Sequence, residues 1–466
     1  MRPSQQVMPA RSRRTSSTSI GRPLLRPLLT ALLPLAAALL PGAAGAQSLL
    51  QFYESALSSD PVYAGARAQA LATREREPQA FGALLPGIGL NANLQRTRID
   101  ASVPPQNVMY TGNTHSYTLQ LTQPLFRWQN YVGWQQAKLA VAASEATLVQ
   151  ALQDLQLRVT RGYLDVLAAE DTVTFVRAKK AAISEQLASA KRNFEVGTAT
   201  ITDTNEAQSR YDLAVAEELG ALNDVATRRA ALLQITGRVP GELVPLRTPV
   251  ILAAPAPDNI DDWVDAAEAD NPSVQAAAIN TEIATREISR SRAGHYPTLD
   301  VVAARNYQTN ISTYAIQGIN GTNLRSDSIG LQLSVPLYAG GATEGRVREA
   351  VALDEQARQN QENARRQAAQ SARQTYLGVT TGLAQVRALE TAEKSSQSAL
   401  ESNQLGYKVG VRVNIDVLNA QQQLFSTRRD LAKARYDAIY VGLQLKAAAG
   451  RLADVDLAQV DGLFAR

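Results

Sequence analysis

Apolar and polar residues alternate from Ser116 to Thr122, with Tyr117, Leu119 and Leu121 on one side and Ser116, Thr118, Gln120 and Thr122 on the other. Ile88, Leu90, Ala92 and Leu94 alternate with Asn91, Asn93 and Gln95. Ile329, Leu331, Leu333 and Val335 alternate with Ser328, Gln332 and Ser334, and a less regular run keeps Leu299, Val301 and Ala303 on its apolar side. This period of two predicts strands over about 86–98, 114–126, 297–309 and 326–338. Each is long enough to cross a bilayer when tilted. A half-buried sheet in a soluble protein alternates in the same way, so the pattern alone leaves both readings open.

Between these strands the pattern is helical. From about 128 to 193 and from about 341 to 405 there is no proline and little glycine. Each stretch would be roughly 100 Å long as one helix. The last helical stretch carries a seam at Val417, Ala420, Leu424, Thr427, Leu431, Ala434, Ala438, Val441, Leu445 and Ala448. Its steps alternate three and four, the heptad of a left-handed coiled coil. Moving back 213 residues gives Thr204, Ala207, Tyr211, Ala214, Glu218, Ala221, Val225, Arg228, Leu232 and Ile235, a weaker seam with charged breaks at Glu218 and Arg228.

That offset is an internal duplication. FEVGTATITDTNEA (194–207) matches YKVGVRVNIDVLNA (407–420), LQLTQPLF (119–126) matches LQLSVPLY (331–338), and RGYLDV (161–166) matches RQTYLGV (373–379). The chain divides into a first repeat over 47–237, a Pro-rich linker over 238–258, a second repeat over 259–450 and a short segment over 451–466. Each repeat reads helix, strand, loop, strand, very long helix, VG turn, helix. Gly197 and Gly410 predict left-handed turns that end one helix and send the next back. Asp203 with Glu206 fits the first cap after the turn, and Asp416 or Asn414 the second.

Composition narrows the chemistry. Aromatics are few at 5%, there is no cysteine, and His115 and His295 are the only histidines. A disulfide frame, a thiolate metal site and a His/Cys cluster are therefore absent from the sequence. Arg2, Arg11, Arg13, Arg14, Arg22 and Arg26 account for six of 47 basic residues and no acid lies in 1–46, so the remainder carries 41 basic against 43 acidic residues. The formal charge of +4 gives no warrant for nucleic-acid binding. Residues 1–46 read as a signal peptide: a basic region, the apolar run 27–46, and small residues at Ala44 and Ala46, with cleavage expected after Ala46 and Met8 as an alternative start. No later stretch approaches the roughly 18 apolar residues of a spanning helix.

Four one-faced strands cannot close a tube alone, and an open edge in lipid leaves backbone groups unpaired at several kcal/mol each. The long helices also bury only one stripe each. The physics asks for an oligomer without setting its number.

The duplicated strand–loop–strand–long-helix order, the QPLF and VPLY strand ends, the paired VG turns and the YxVGxRxxxDVLxA string resemble the TolC family of outer-membrane efflux and secretion channels over essentially the whole chain after residue 46. The lack of an acylatable cysteine suits its non-lipidated branch. The resemblance implies a mainly α fold with membrane β structure. In it a homotrimer joins four transmembrane strands per subunit into a 12-stranded β-barrel, above coiled-coil helices that form a periplasmic α-barrel. The implied function is an outer-membrane exit duct for multidrug efflux or type I protein secretion. Partners would be outer-membrane lipid, a periplasmic adaptor and an inner-membrane RND, ABC or MFS transporter, with no cofactor, catalysis or nucleic acid.

By the same resemblance the VG turns are the periplasmic tips. Tyr407, Arg412, Thr202 and Asp203 match the family's polar links across the closed entrance, with Arg412 expected to pair with Asp203. Asp416 matches an inward acidic ring. Asn419 replaces the family's second acidic position, leaving three carboxylates per trimer rather than six. Val196, Gly197, Val409 and Gly410 would meet the adaptor. Segments 100–113 and 308–324 are expected as extracellular loops, and the linker and 451–466 to pack round the middle of the tube. A coiled-coil spacer protein would share the heptads but needs no strand hairpin in each repeat. For an enzyme the sequence offers no nucleophile–base pair, phosphate loop or metal spacing.

Overall fold

The computed structural model describes residues 47–103, 106–247, 249–310 and 323–465. The signal-peptide call over 1–46 and most of the loop call over 308–324 lie outside them.

Each repeat opens with short helices: α1 (Leu49–Ser59), α2 (Pro61–Arg74) and α3 (Arg76–Gly82) in the first, α6 (Ile260–Asp270) and α7 (Pro272–Arg292) in the second. The single opening helix expected per repeat is broken where Asp60 and Asn271 precede a proline. Each caps the helix that follows, accepting from the backbone N–H of Tyr63 and Ser273 respectively. Proline has no N–H to lose at a first helical position, so the break leaves no further donor unpaired.

The strands are β1 (Gly87–Val103), β2 (Gln106–Phe126), β3 (Thr298–Asn310) and β4 (Asn323–Ser334), in one antiparallel sheet of order β1-β2-β3-β4. The expected loop at 100–113 is a correction. The β1–β2 ladder continues to Val103 opposite Gln106, so the hairpin extends through most of that segment. Ile99, Val103, Val108 and Tyr110 are strand formers, and they outweigh the turn residues around them. β4 stops at Ser334, short of the expected 338, because Pro336 cannot donate to the ladder.

The alternation has the outcome that separates the two readings of the sheet. Ile88, Leu90 and Leu94 are 69–70% exposed, and Ile329, Leu331 and Leu333 are 63–80% exposed. In a soluble protein this face would be buried. The opposite face carries amides and hydroxyls: Asn91, Asn93, Gln95, Thr118, Gln120, Asn306, Ser326 and Ser328. One apolar face backed by a polar one is the arrangement of a barrel wall in lipid.

From each hairpin one long helix departs, α4 (Trp128–Glu195) and α8 (Ala342–Lys408), and a shorter helix returns, α5 (Ile201–Thr236) and α9 (Asn414–Ala448). At the β2–α4 junction Arg127 makes two bonds of 2.7 and 2.8 Å to Asp300 on β3, tying the helix to the sheet. No helix among the described residues is long and apolar enough to span a membrane.

The largest core lies round the middle of α4. Tyr163 is fully buried, donates to the carbonyls of Gln47 and Val244, and packs on Phe52 and Phe464 at ring distances of 5.8 and 5.2 Å. Leu243 and Val244 of the linker join this core, as do Leu457 and Val460 of α10 (Asp454–Asp461). Isolated bridges pair Gln47 with Leu243 and Leu246 with Phe464, so the linker and C-terminal segment strap the helices together.

Candidate gate at the helix tips

The two tips are built alike. α4 ends at Glu195, Gly197 takes φ 76°, and the Thr198 N–H reaches back 2.8 Å to the Asn193 carbonyl; α8 ends at Lys408, Gly410 takes φ 77°, and Val411 reaches Gly406 at 2.8 Å. Only glycine adopts this left-handed conformation without strain.

The caps that follow differ. α5 starts at a reciprocal box between Thr200 and Asp203, not between Asp203 and Glu206 as expected: the Asp203 N–H donates to Thr200 Oγ1 at 3.2 Å, and Asp203 Oδ2 accepts from the Thr200 N–H at 3.0 Å. α9 has no side-chain cap, because Val413 holds the cap position. Asp416 sits in its first turn, where the helix dipole favours a carboxylate.

The expected Arg412–Asp203 pair is not formed in the chain. Arg412 Nη1, in the turn before α9, lies 3.5 Å from Asp416 Oδ2 in the first turn of that helix, while the Asp203 carboxylate is committed to Thr200. A local pair four residues apart needs no distant side chain to be ordered, which favours it over one across helices.

Other polar bonds join the first helix pair to the second. Asn193 Nδ2 donates to the Tyr407 hydroxyl at 3.1 Å, so Tyr407 engages α4 and not Thr202 or Asp203; Thr202 is exposed. Arg210 Nη2 on α5 donates to Asn419 Oδ1 at 3.2 Å. Asn414, 2% exposed, accepts from Gln186 on α4 and donates to the Asp203 carbonyl of α5 at 3.4 Å. Beside it Leu418 packs into Ile183, Leu187, Ala190, Ala207 and Ala214 of the first pair.

Asn193, Gln186 and Arg210 were missed in the sequence, and Asn414 was read only as a candidate cap. A signal existed for Asn414: its counterpart in the first repeat is Ile201, 52% exposed. The copies invert the usual rule, with the polar residue buried and the apolar one in water.

Between α8 and α9, Ser395, Ala399, Asn403, Arg412, Asp416 and Asn419 line a groove of about 520 Å³. The turns themselves expose Val196, Val409, Val411 and Val413 by 58–78%.

A sheet with a lipid-compatible face, continuous with paired helices that end in such tips, defines a channel subunit of a bacterial outer membrane. The chain belongs to the Outer membrane efflux protein family, whose profile matches residues 52–238 and 263–451. It is 32% identical to Outer membrane protein TolC of Vibrio cholerae serotype O1 over 437 residues, 94% of this chain and 98% of that protein. It is 30% identical to Alkaline protease secretion protein AprF of Pseudomonas aeruginosa, over 90% of this chain and 88% of that one. The crystal structure of the outer membrane protein VceC from Vibrio cholerae shares the fold, with a TM-score of 0.73 at 20% identity over 86% of this chain and 96% of that one. The protein is an outer-membrane exit duct of the TolC family. The family is one of channels, not enzymes.

Proposed function

We propose that the duct is a homotrimer gated where α4/α5 meet α8/α9 at the tips, and opened by a periplasmic adaptor coupled to an inner-membrane RND, ABC or MFS transporter. In each chain β1 and β4 leave one edge unpaired, and they run antiparallel. β4 of one copy can therefore continue the sheet on β1 of the next until it closes. Three copies give the 12 strands that the family resemblance implies. The cargo is drugs, as in efflux, or an unfolded protein, as the name of the Pseudomonas aeruginosa relative suggests for that protein.

The observation that carries the gate is the buried Asn414, bonded to both helices of the first pair. Separating the pairs would exchange these bonds for water, at about 0.5–1.5 kcal/mol net each, and would strip Leu418 from its apolar contacts, so opening is opposed unless another contact compensates. The adaptor would supply that contact at Val196, Gly197, Val409 and Gly410, where the exposed valines offer apolar surface. Asp416 would ring the constriction. Asn419, bonded to Arg210, would add a further link between the pairs in place of a second acidic ring.

Single-channel conductance in planar bilayers tests this. Asn414→Ala should raise unit conductance. Arg412→Ser should change it less, since Arg412 pairs locally with Asp416 at the start of α9. The opposite ranking would remove Asn414 from the gate and return the latch to Arg412.

A further inference from the structure

The apolar face of the sheet ends in charge on the side remote from the helices. Moving away from the helices, the unbroken apolar run on that face ends at Leu94 on β1, Tyr117 on β2, Ala303 on β3 and Ile329 on β4; the next residues are Arg96, His115, Arg305 and Asp327, with Met109 and Tyr307 further out. These ends do not share a pairing row. The row through Leu94 crosses His115 and Thr309 and reaches β4 at Asn323, six residues beyond Ile329. A level band drawn across tilted strands must step back along them in this way. The charged residues therefore form one rim at the boundary of the band.

That rim is basic. Arg98 lies 3.6 Å from Asp100 and Arg305 lies 3.4 Å from Asp327, so these pairs are neutral. Arg96 and Arg325 are exposed and have no acidic partner among the described residues. The Arg325 guanidinium sits over the Tyr307 ring at 5.4 Å, and Tyr307 stacks on Tyr117 at 6.5 Å. Tyrosines at such a boundary place their rings against hydrocarbon and their hydroxyls in the headgroup layer.

We propose that this rim binds the phosphate groups of an anionic membrane lipid in the leaflet remote from the helices, with Arg96 and Arg325 as the phosphate ligands. The guanidinium fork matches phosphate oxygens. The occupant is a lipid because the residues immediately below, Leu90, Leu94 and Leu119, are exposed on the same face. Chains lying on those leucines bring the headgroup to the arginines. The neutral pairs keep Asp100 and Asp327 from repelling it.

The test uses the purified full chain in detergent, with bound lipid read by native mass spectrometry. Diphosphoryl lipid A, the same lipid without its phosphates, and inorganic phosphate are compared as probes. The phosphorylated lipid should be retained roughly tenfold better than the dephosphorylated one. Arg96→Gln with Arg325→Gln should abolish that preference, and lysine at both positions should restore part of it. Unchanged pore conductance checks that the variants form the barrel. Equal retention of both lipids by the wild type would overturn the proposal, and this arm needs no variant. So would undiminished preference in the glutamine variant, or inorganic phosphate binding as tightly as the lipid.

Discussion

The two long helix pairs descend from one repeated pattern, yet different forces hold them. α8 and α9 meet along an apolar seam: Val417, Leu424, Leu431, Ala438 and Leu445 are buried, facing Val379, Val386 and Leu400. α4 and α5 have only Ala207, Ala214 and Leu232 buried along the matching seam. Its charged breaks are filled by ion pairs. Glu218 bonds Arg177 at 2.9 Å and Lys180, Lys179 bonds Glu217 at 2.7 Å, Arg228 bonds Asp165 at 3.2 Å and Arg229 bonds Glu170 at 2.6 Å. The Lys180 ammonium and then the Arg177 guanidinium hold the Glu218 carboxyl below the usual range.

Apolar contact is non-directional and tolerates small rotations, whereas ion pairs depend on geometry. The second pair also has ion pairs, Arg428 to Glu393 at 2.9 Å and Arg435 to Glu390 at 2.8 Å, but fewer of them beside its longer apolar seam. Geometry-dependent contacts therefore set the register of the first pair to a greater degree.

Variants can break or sharpen the contrast. The largest effect should come from the apolar seam. Leu424→Ala, at a residue 2% exposed, should cost about 2–5 kcal/mol in denaturant unfolding. Tyr211→Ala, at the matching but only half-buried position, should cost less. Equal losses would mean that both seams carry similar apolar weight.

Next comes the polar side. Glu217→Gln strips the partner from Lys179, whose side chain is 8% exposed. With Glu217 itself 46% exposed, a loss of about 1–2 kcal/mol is expected in the same assay. A neutral result would show that these ion pairs set register without adding stability.

The smallest effect lies at the matched caps. Asp60, 3% exposed, is held by Arg158 through bonds of 2.9 and 3.0 Å, and that guanidinium pulls its pKa below the ordinary carboxylate value. Its counterpart Asn271 instead donates to the Ala448 carbonyl at 2.8 Å. A depressed folded-state pKa stabilises above the unfolded-state value of roughly 4 and ceases to do so as pH falls through the folded value. Asp60→Asn should remove about 1 kcal/mol near neutral pH. The gap from wild type should close below roughly pH 4. A gap that stays constant with pH would assign the loss to packing.

Much of the fold was legible in the sequence because it rests on periodicity. The alternating strands, the long proline-free helices and the paired VG turns are local patterns, and duplication wrote each of them twice. Boundaries set by competing local signals were harder. The hairpin outran its expected loop at 100–113, and the opening helices broke at Asp60-Pro61 and Asn271-Pro272. The candidate site was partly legible. Tyr407, Arg412, Asp416 and Asn419 lie together at the tip, but the partners of Tyr407 and Asn419 on the first helix pair did not follow from spacing.

The sequence by itself determined the duplication, the strands and helices, and the positions of the turns, since these depend on residue order over a few turns or pleats. Tertiary structure alone decided that Tyr407 reaches Asn193, that Asn419 accepts from Arg210, and that Asn414 is buried between helix pairs. Such bonds join residues some 200 positions apart, and the rotation of one helix pair against the other selects them. Local pattern carries no record of that rotation.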